Sequence, residues 1–223
     1  VLYEVIKTKL QNGVDKNGAT NDGSVNVNWG KAWDIDPNVT TSNQFDFYSV
    51  LNHEFTHALG FLSTIDQDGT DVFGKGQTLP GRWNTFDQFV TDASGNAVID
   101  HSSFFINQST WDAASVGGSS LFFNGANAMA ANGGNKVGLY SPTTWNGGSS
   151  GSHLDTQFPA YSSMMMTHSI AKGIEKRSYS NIEVGIMTDL GYAQVTAVPE
   201  PQSYALMLAG LGLIGFLRAR RQR

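Results

Sequence analysis

Apolar residues recur at three- and four-residue steps between positions 47 and 59, which is the spacing of one face of an α-helix. The preceding residues 41–44 read Thr-Ser-Asn-Gln and fit a capping box, with Gln44 at the third helical position. Gly60 stands where a left-handed residue would end the helix. The pattern therefore predicts a long helix whose buried stripe consists of Phe47, Val50, Leu51, Phe55, Ala58 and Leu59.

Shorter patterns flank this helix on both sides. Residues 23–29 alternate apolar and polar side chains, which is typical of a half-buried strand. Residues 86–90, 121–123 and 137–140 predict short elements in a loop-rich lobe, in keeping with the 25 glycines of the chain.

A second helix is predicted near the end of this region. Residues 180–183 offer another capping box, and Ile182, Ile186 and Leu190 repeat at four-residue steps before Gly191. We expect this closing helix to pack on the core in a purely supporting role.

Composition places the chain among globular proteins and excludes some kinds of site. Of 223 residues, 40% are hydrophobic and 15% charged, so one sizeable core is expected. The net charge is −5 and no basic run precedes the last six residues, which argues against nucleic-acid binding. Cysteine is absent, so a zinc site would have to use His, Asp or Glu.

The C-terminal residues have a different character from the rest of the chain. Residues 198–201 read Val-Pro-Glu-Pro, residues 204–217 are apolar, and four arginines follow within residues 218–223. This layout resembles the PEP-CTERM sorting signal of Gram-negative bacteria, which implies a linker at 194–201, a short transmembrane helix at 202–217 and a basic cytoplasmic tail at 218–223.

The same resemblance implies an exported protein at the cell surface or secreted, transiently anchored in the inner membrane and processed by an exosortase-type sorting enzyme. The chain starts at Val1 without an initiator methionine or an apolar leader, so we expect N-terminal residues and an export signal to be missing from it. Residues 1–193 would form the exported domain.

Residues 53–57 read HEFTH and carry the strongest chemical signal in the sequence. On a helix His53 and His57 lie one turn apart on one face, where both can ligate a single Zn²⁺ ion. Zinc lowers the pKa of a bound water to about 7, and Glu54 would act as the general base. The expected chemistry is hydrolysis of a peptide bond.

A catalytic zinc ion usually has three protein ligands, so a third must come from elsewhere. No glutamate lies between Glu54 and Glu175, so a glutamate ligand from the next helix is nearly excluded. In the compact motif HExxHxxGxxH the third histidine would stand at position 63, where this chain has Ser63. The acidic loop with Asp66, Asp68 and Asp71 is a weaker option. The remaining histidines are His101, which we expect in a surface loop, His153 and His168.

Four segments in order resemble the leishmanolysin-like branch of the metzincins: HEFTHALGF, SGSHLD, MMMTHSI and IMTDLGY. The resemblance implies His53, His57 and His153 as zinc ligands, Glu54 as base and Met166 as the residue of the methionine turn. Met165 is the alternative for the turn and His168 the alternative ligand.

The family resemblance also implies a fold. This fold is an α+β zincin-like one, with a twisted sheet, a long active-site helix, a loop-rich lower lobe and a C-terminal helix. Residues 23–29 would then be either a substrate-binding edge strand or an ordinary sheet strand.

These observations predict a zinc metalloendopeptidase that acts on extracellular proteins. One alternative is a non-enzymatic surface or biofilm-matrix protein, since sorting tails of this kind are attached to many exported proteins. A zinc hydrolase of non-peptide esters or amides is a further alternative, because it would use the same residues.

Overall fold

A computed structural model describes residues 4–39 and 41–193 of the chain. The α-helices in this part are α1 (Val5–Asn12), α2 (Phe47–Ala58), α3 (Gln108–Ser115), α4 (Ala126–Ala131) and α5 (Asn181–Asp189). The strands are β1 (Trp33–Asp34), β2 (Phe45–Asp46), β3 (Val90–Thr91), β4 (Leu121–Phe123) and β5 (Val137–Leu139). Two 3₁₀ turns lie at Phe86–Phe89 and Pro159–Tyr161.

The strands form two small sheets. β1 pairs in parallel with β2, and β3, β4 and β5 form an antiparallel sheet in that order. The mixed class of helices and strands is confirmed, and the short elements predicted for the loop-rich lobe are present. In place of one larger twisted sheet, the described residues contain only these two short sheets, and the metzincin part of the fold stays a prediction.

The strand predicted at residues 23–29 is wrong, since this segment joins no sheet of the described structure. Val25 and Trp29 are 54% and 69% exposed, so the alternating apolar side chains are not buried against a core. A strand needs a neighbouring strand to satisfy its backbone hydrogen bonds, and alternation by itself does not supply one.

The long helix begins later than the capping box predicts. Its N-cap is Asp46, whose carboxylate accepts a hydrogen bond of 2.8 Å from the Ser49 N–H. Gln44 instead donates its side-chain amide to the Trp33 carbonyl. The predicted start at residues 41–44 is wrong because the pairing of β1 with β2 holds the chain extended as far as Asp46.

The predicted end of α2 is confirmed. Gly60 has φ of +108°, and its N–H bonds to the His57 carbonyl while the Phe61 N–H bonds to the Thr56 carbonyl. This pair of hydrogen bonds is the Schellman arrangement, which favours glycine at its left-handed position.

The buried stripe predicted for α2 is wrong in its details. Phe55 is 47% exposed, and the fully buried side chains of this helix are Ser49 and Thr56. Polar contacts rather than apolar ones hold this face, because Ser49 bonds to Asp46 and Thr56 bonds to Tyr179.

The core lies around the three-stranded sheet and the closing helix. Fully buried side chains include Phe61, Phe86, Trp111, Leu121, Phe123, Leu139, Leu154, Met166, Ile186 and Leu190. Helices α4 and α5 pack so closely that a Cβ atom added at Gly185 would lie 2.8 Å from the Ala128 Cα. Such an approach requires glycine at this helical position.

The capping box of α5 is confirmed. It also joins this helix to the methionine segment, which comprises residues 164–166. Ser180 accepts a hydrogen bond from the Glu183 N–H, and the Glu183 carboxylate accepts one from the Ser180 N–H. The second oxygen of Glu183 accepts the Met166 N–H at 2.7 Å. The closing helix thereby helps to position residues next to the histidines of α2.

Within residues 4–39 and 41–193, no helix has the length and apolar character needed to cross a bilayer. The predicted linker at 194–201, sorting helix at 202–217 and basic tail at 218–223 lie outside the described residues.

Candidate metal centre

Three histidines from distant parts of the chain meet beside α2. His53 and His57 lie one turn apart on this helix, and His153 follows β5 by a loop. The Nε2 atoms are 3.0 Å apart for His53 and His57, 3.1 Å for His57 and His153, and 3.2 Å for His53 and His153. The structure thus brings together the three side chains that the sequence analysis names as ligands.

The loop that carries His153 is held by backbone hydrogen bonds on both sides. The His153 carbonyl accepts the Tyr140 N–H at 2.8 Å, next to the end of β5. The following N–H, that of Leu154, donates to the Met166 carbonyl at 2.8 Å. Leu154 is fully buried, so its side chain anchors the neighbouring histidine to the core.

Each imidazole is oriented by a hydrogen bond from its other nitrogen to a backbone carbonyl. The Nδ1 atom of His53 donates to Met165 at 2.9 Å, that of His57 to Phe61 at 2.6 Å, and that of His153 to Ser149 at 2.8 Å. A carbonyl oxygen only accepts, so the proton of each neutral ring is on Nδ1. All three Nε2 atoms therefore present lone pairs to one another.

Lone pairs at such short distances repel unless a cation lies between them. Two nitrogens bound to one tetrahedral zinc ion at about 2.0–2.1 Å are about 3.3 Å apart. The observed separations of 3.0–3.2 Å are close to that value. The donor set of three imidazoles, each with a backbone acceptor behind it, fits a metal of the zinc type.

Burial keeps two of the histidines uncharged. Burial lowers the pKa of His57 to about 4, and the neighbouring His53 adds to this effect. Burial likewise lowers the pKa of His153 to about 3, with His57 as the next cause. The carbonyls of Phe61 and Ser149 act in the opposite direction but do not reverse the shifts. At neutral pH both rings are in the form that ligates a metal.

Glu54 follows His53 on α2 and has an exposed side chain. It lines a cavity of about 130 Å³ together with His53, and a second one of about 660 Å³ together with Phe55. No hydrogen bond or ion pair to another described residue engages its carboxylate. The carboxylate is therefore available to a water molecule or a substrate.

The methionine segment lies directly against the histidine cluster. Met165 supplies the carbonyl that orients His53, while the Met166 side chain is fully buried in the core. Both residues that the sequence analysis considers for a methionine turn are thus close to the site. The assignment of that turn to Met166 stays a prediction.

The other candidate ligands lie apart from the three-nitrogen cluster. His168 stacks on Tyr140 with ring centroids 4.0 Å apart, and His101 is exposed in a turn. Asp71 accepts backbone N–H groups of its own loop, including those of Phe73 and Arg82. Among the described residues, the possible metal ligands that lie close enough to one another to share an ion are His53, His57 and His153.

Sequence reasoning missed two features of this region. One is the set of backbone carbonyls that orient the imidazoles, which any residue type could supply and which leaves no signal in the sequence. The other is Lys176, which is buried beside the site and lines the cavity that His53 and Glu54 share. In the sequence, the only signal for Lys176 is its position shortly before the closing helix.

Comparison with protein families addresses the C-terminal residues. Residues 197–222 match the PEP-CTERM protein-sorting motif. The tail is a PEP-CTERM motif. This confirms the predicted PEP-CTERM sorting signal, and the motif indicates an exported protein that is sorted to the cell envelope. It also implies recognition by an exosortase-type sorting enzyme. No curated protein and no solved structure matches the chain.

Proposed function

We propose that this exported protein is a zinc-dependent metalloendopeptidase that hydrolyses extracellular proteins. The observation that carries the proposal is the convergence of three Nε2 lone pairs, from His53, His57 and His153, with separations of 3.0–3.2 Å. Hydrolysis also requires a general base, and the exposed carboxylate of Glu54 on the same helix would serve as that base.

Each residue has a defined task in the proposed reaction. When bound, Zn²⁺ supplies Lewis acidity that polarises a carbonyl group and activates water. The three imidazoles hold the ion, and the carbonyls behind them keep the rings in one orientation. The Glu54 carboxylate accepts the proton of the attacking water and transfers it to the nitrogen of the leaving amine.

The leishmanolysin-like metzincin fold is part of this proposal. It is supported by the distance of 96 residues between His57 and His153 and by the methionine segment beside His53. Residues 23–28 and α2 line the cavity of about 660 Å³ that Glu54 shares, and an extended substrate would lie in it. Residues 202–217 would span the inner membrane until the sorting enzyme acts.

The central test compares the zinc content and the peptidase activity of the wild type and three variants. The wild type should hold one zinc ion per chain and cleave unfolded protein substrates. Glu54→Gln should retain the metal and lose hydrolysis, while His153→Ala should lose both. His101→Ala is the matched control, because His101 is exposed and apart from the cluster.

Two results would contradict the proposal. Hydrolysis that survives in Glu54→Gln would remove this residue as the base. Zinc content that is unchanged in His153→Ala would remove the distant ligand.

A non-enzymatic surface or matrix protein is the second candidate, because the sorting motif at residues 197–222 accounts for export to the cell envelope without requiring any catalytic activity. In that case the histidine cluster would hold a structural metal. Zinc bound at one ion per chain without cleavage of any protein in a substrate library would favour this candidate. Cleavage confined to ester or non-peptide amide substrates would instead indicate the related hydrolase.

A further inference from the structure

The cavity of about 130 Å³ beside His53 and Glu54 lies between α2 and the residues that follow the methionine segment. Its other lining residues include Thr167, His168 and Lys176. A cavity of about 150 Å³ holds one benzene molecule, so this one has room for a side chain of similar size. Its position makes it the nearest subsite to the proposed reaction centre, and the inference below rests on the proposed function.

Lys176 is the unusual member of this cavity. The residue is 8% exposed, and its ammonium group donates a hydrogen bond of 2.6 Å to the Thr167 hydroxyl. No carboxylate of the described residues lies within 4.0 Å of that ammonium. Lysine is almost never buried without a paired anion, because the loss of hydration is costly.

The acidic residues around Lys176 do not form an ion pair with its ammonium group. Burial lowers the pKa of Lys176, and Glu183 acts in the opposite direction without reversing the shift. The two oxygens of Glu183 accept the N–H groups of Met166 and Ser180. Glu54 also lines the cavity, yet its side chain is exposed and solvent screens its charge. The ammonium therefore keeps donor capacity toward the cavity.

His168 adds a second group without a partner. Its ring stacks on Tyr140, and its Nδ1 atom is buried with no hydrogen-bond partner among the described residues. Buried polar atoms are nearly always hydrogen-bonded, so an unpaired one beside a cavity points to a bound group. Burial lowers the pKa of His168, Asp155 acts in the opposite direction, and Lys176 adds to the lowering.

We propose that this cavity binds a carboxylate of the substrate next to the scissile bond, with Lys176 as the main recognition residue and His168 as a second donor. The carboxylate could belong to an Asp or Glu side chain or to the C-terminus of a peptide. In either case it would give the buried ammonium the anionic partner that the fold does not supply.

The experiment uses zinc-loaded protein and fluorogenic peptides that differ only at the residues on either side of the cleaved bond. Glu is compared with Gln, which has the same shape without the charge, in peptides with amidated ends. A second set carries neutral residues and a free C-terminal carboxylate beside the cleaved bond. The wild type should prefer the carboxylate over its amide by about 10- to 100-fold in kcat/KM in one of the two sets.

Variants assign this preference to the cavity. Lys176→Met keeps the length and the apolar stem of the side chain, and the preference for the carboxylate over its amide should fall to about 1. Lys172→Met is the matched control, since Lys172 is an exposed lysine four residues earlier. His168→Phe keeps a ring for stacking and should weaken the preference by a smaller factor, which provides a test even where Lys176→Met does not fold.

A binding measurement separates this inference from the proposed function. Fluorescence anisotropy of the labelled Glu and Gln peptides with Glu54→Gln protein reports recognition without hydrolysis. A preference for the carboxylate that Lys176→Met abolishes would support the subsite even where no peptide is cleaved. Cleavage at equal rates for the carboxylate and its amide in both peptide sets, or a preference that persists in Lys176→Met, would overturn the subsite and leave the peptidase proposal standing. The absence of both cleavage and preference would overturn both.

Discussion

Acidification of the metal-free protein from pH 7 to pH 5 should lower its free energy of unfolding. In the folded state the pKa of His57 is about 4 and that of His153 about 3, because burial disfavours the charged rings. In the unfolded chain a histidine titrates near 6.5. Below that value the unfolded state binds more protons than the folded state, so the protein loses stability as the pH falls.

The size of the effect follows from these pKa values. Each of the two histidines contributes a loss of about 2 kcal/mol between pH 7 and pH 5, which gives about 4 kcal/mol together. Asp87 opposes them, since burial raises its pKa to about 6 and its protonation favours the folded state as the pH falls. That opposing contribution is about 1 kcal/mol, so the expected net loss is about 3 kcal/mol.

Urea unfolding followed by tryptophan fluorescence measures this difference, because Trp111 is fully buried and reports loss of the core. The protein is first treated with a chelator, and the two pH values are compared at constant ionic strength. His153→Asn should remove about half of the histidine contribution. His101→Asn should leave the difference unchanged, since that ring is exposed.

Equal stability of the metal-free protein at both pH values would contradict this prediction. The same conclusion would follow if His153→Asn had the full pH dependence of the wild type. Saturating zinc should raise the free energy of unfolding at both pH values without removing the pH dependence, because the bound cation keeps the folded imidazoles unprotonated while the unfolded chain still takes up protons.

Two further substitutions test the supports of the site by urea unfolding. Glu183→Gln should lower the free energy of unfolding by about 1–3 kcal/mol, because an amide NH₂ group would face the N–H donor of Met166 or Ser180. An unchanged midpoint would show that this carboxylate does not hold the methionine segment. Gly185→Ala should cost about 1–3 kcal/mol through contact with the Ala128 backbone, although alanine ordinarily favours a helix. A stabilised Gly185→Ala protein would show that α4 and α5 can separate without loss.

Local sequence patterns determined those features that depend on neighbouring residues. Gly60 and Gly191 end their helices with positive φ, and residues 180–183 form the predicted capping box, because these contacts lie within one helical turn. The pairing of His53 with His57 follows in the same way from the geometry of one helix. The sorting motif at residues 197–222 is likewise a local pattern.

Features that depend on distant partners could not be predicted from the local sequence. The start of α2 moved to Asp46 because β1 pairs with β2, and the alternation at residues 23–29 did not make a strand because no neighbouring strand is present in the described structure. From the sequence alone, His153 and its alternative His168 both remained candidates for the third ligand. The fold brings His153 beside His53 and His57, since its loop is hydrogen-bonded to Tyr140 and Met166, and backbone contacts of this kind are independent of residue type.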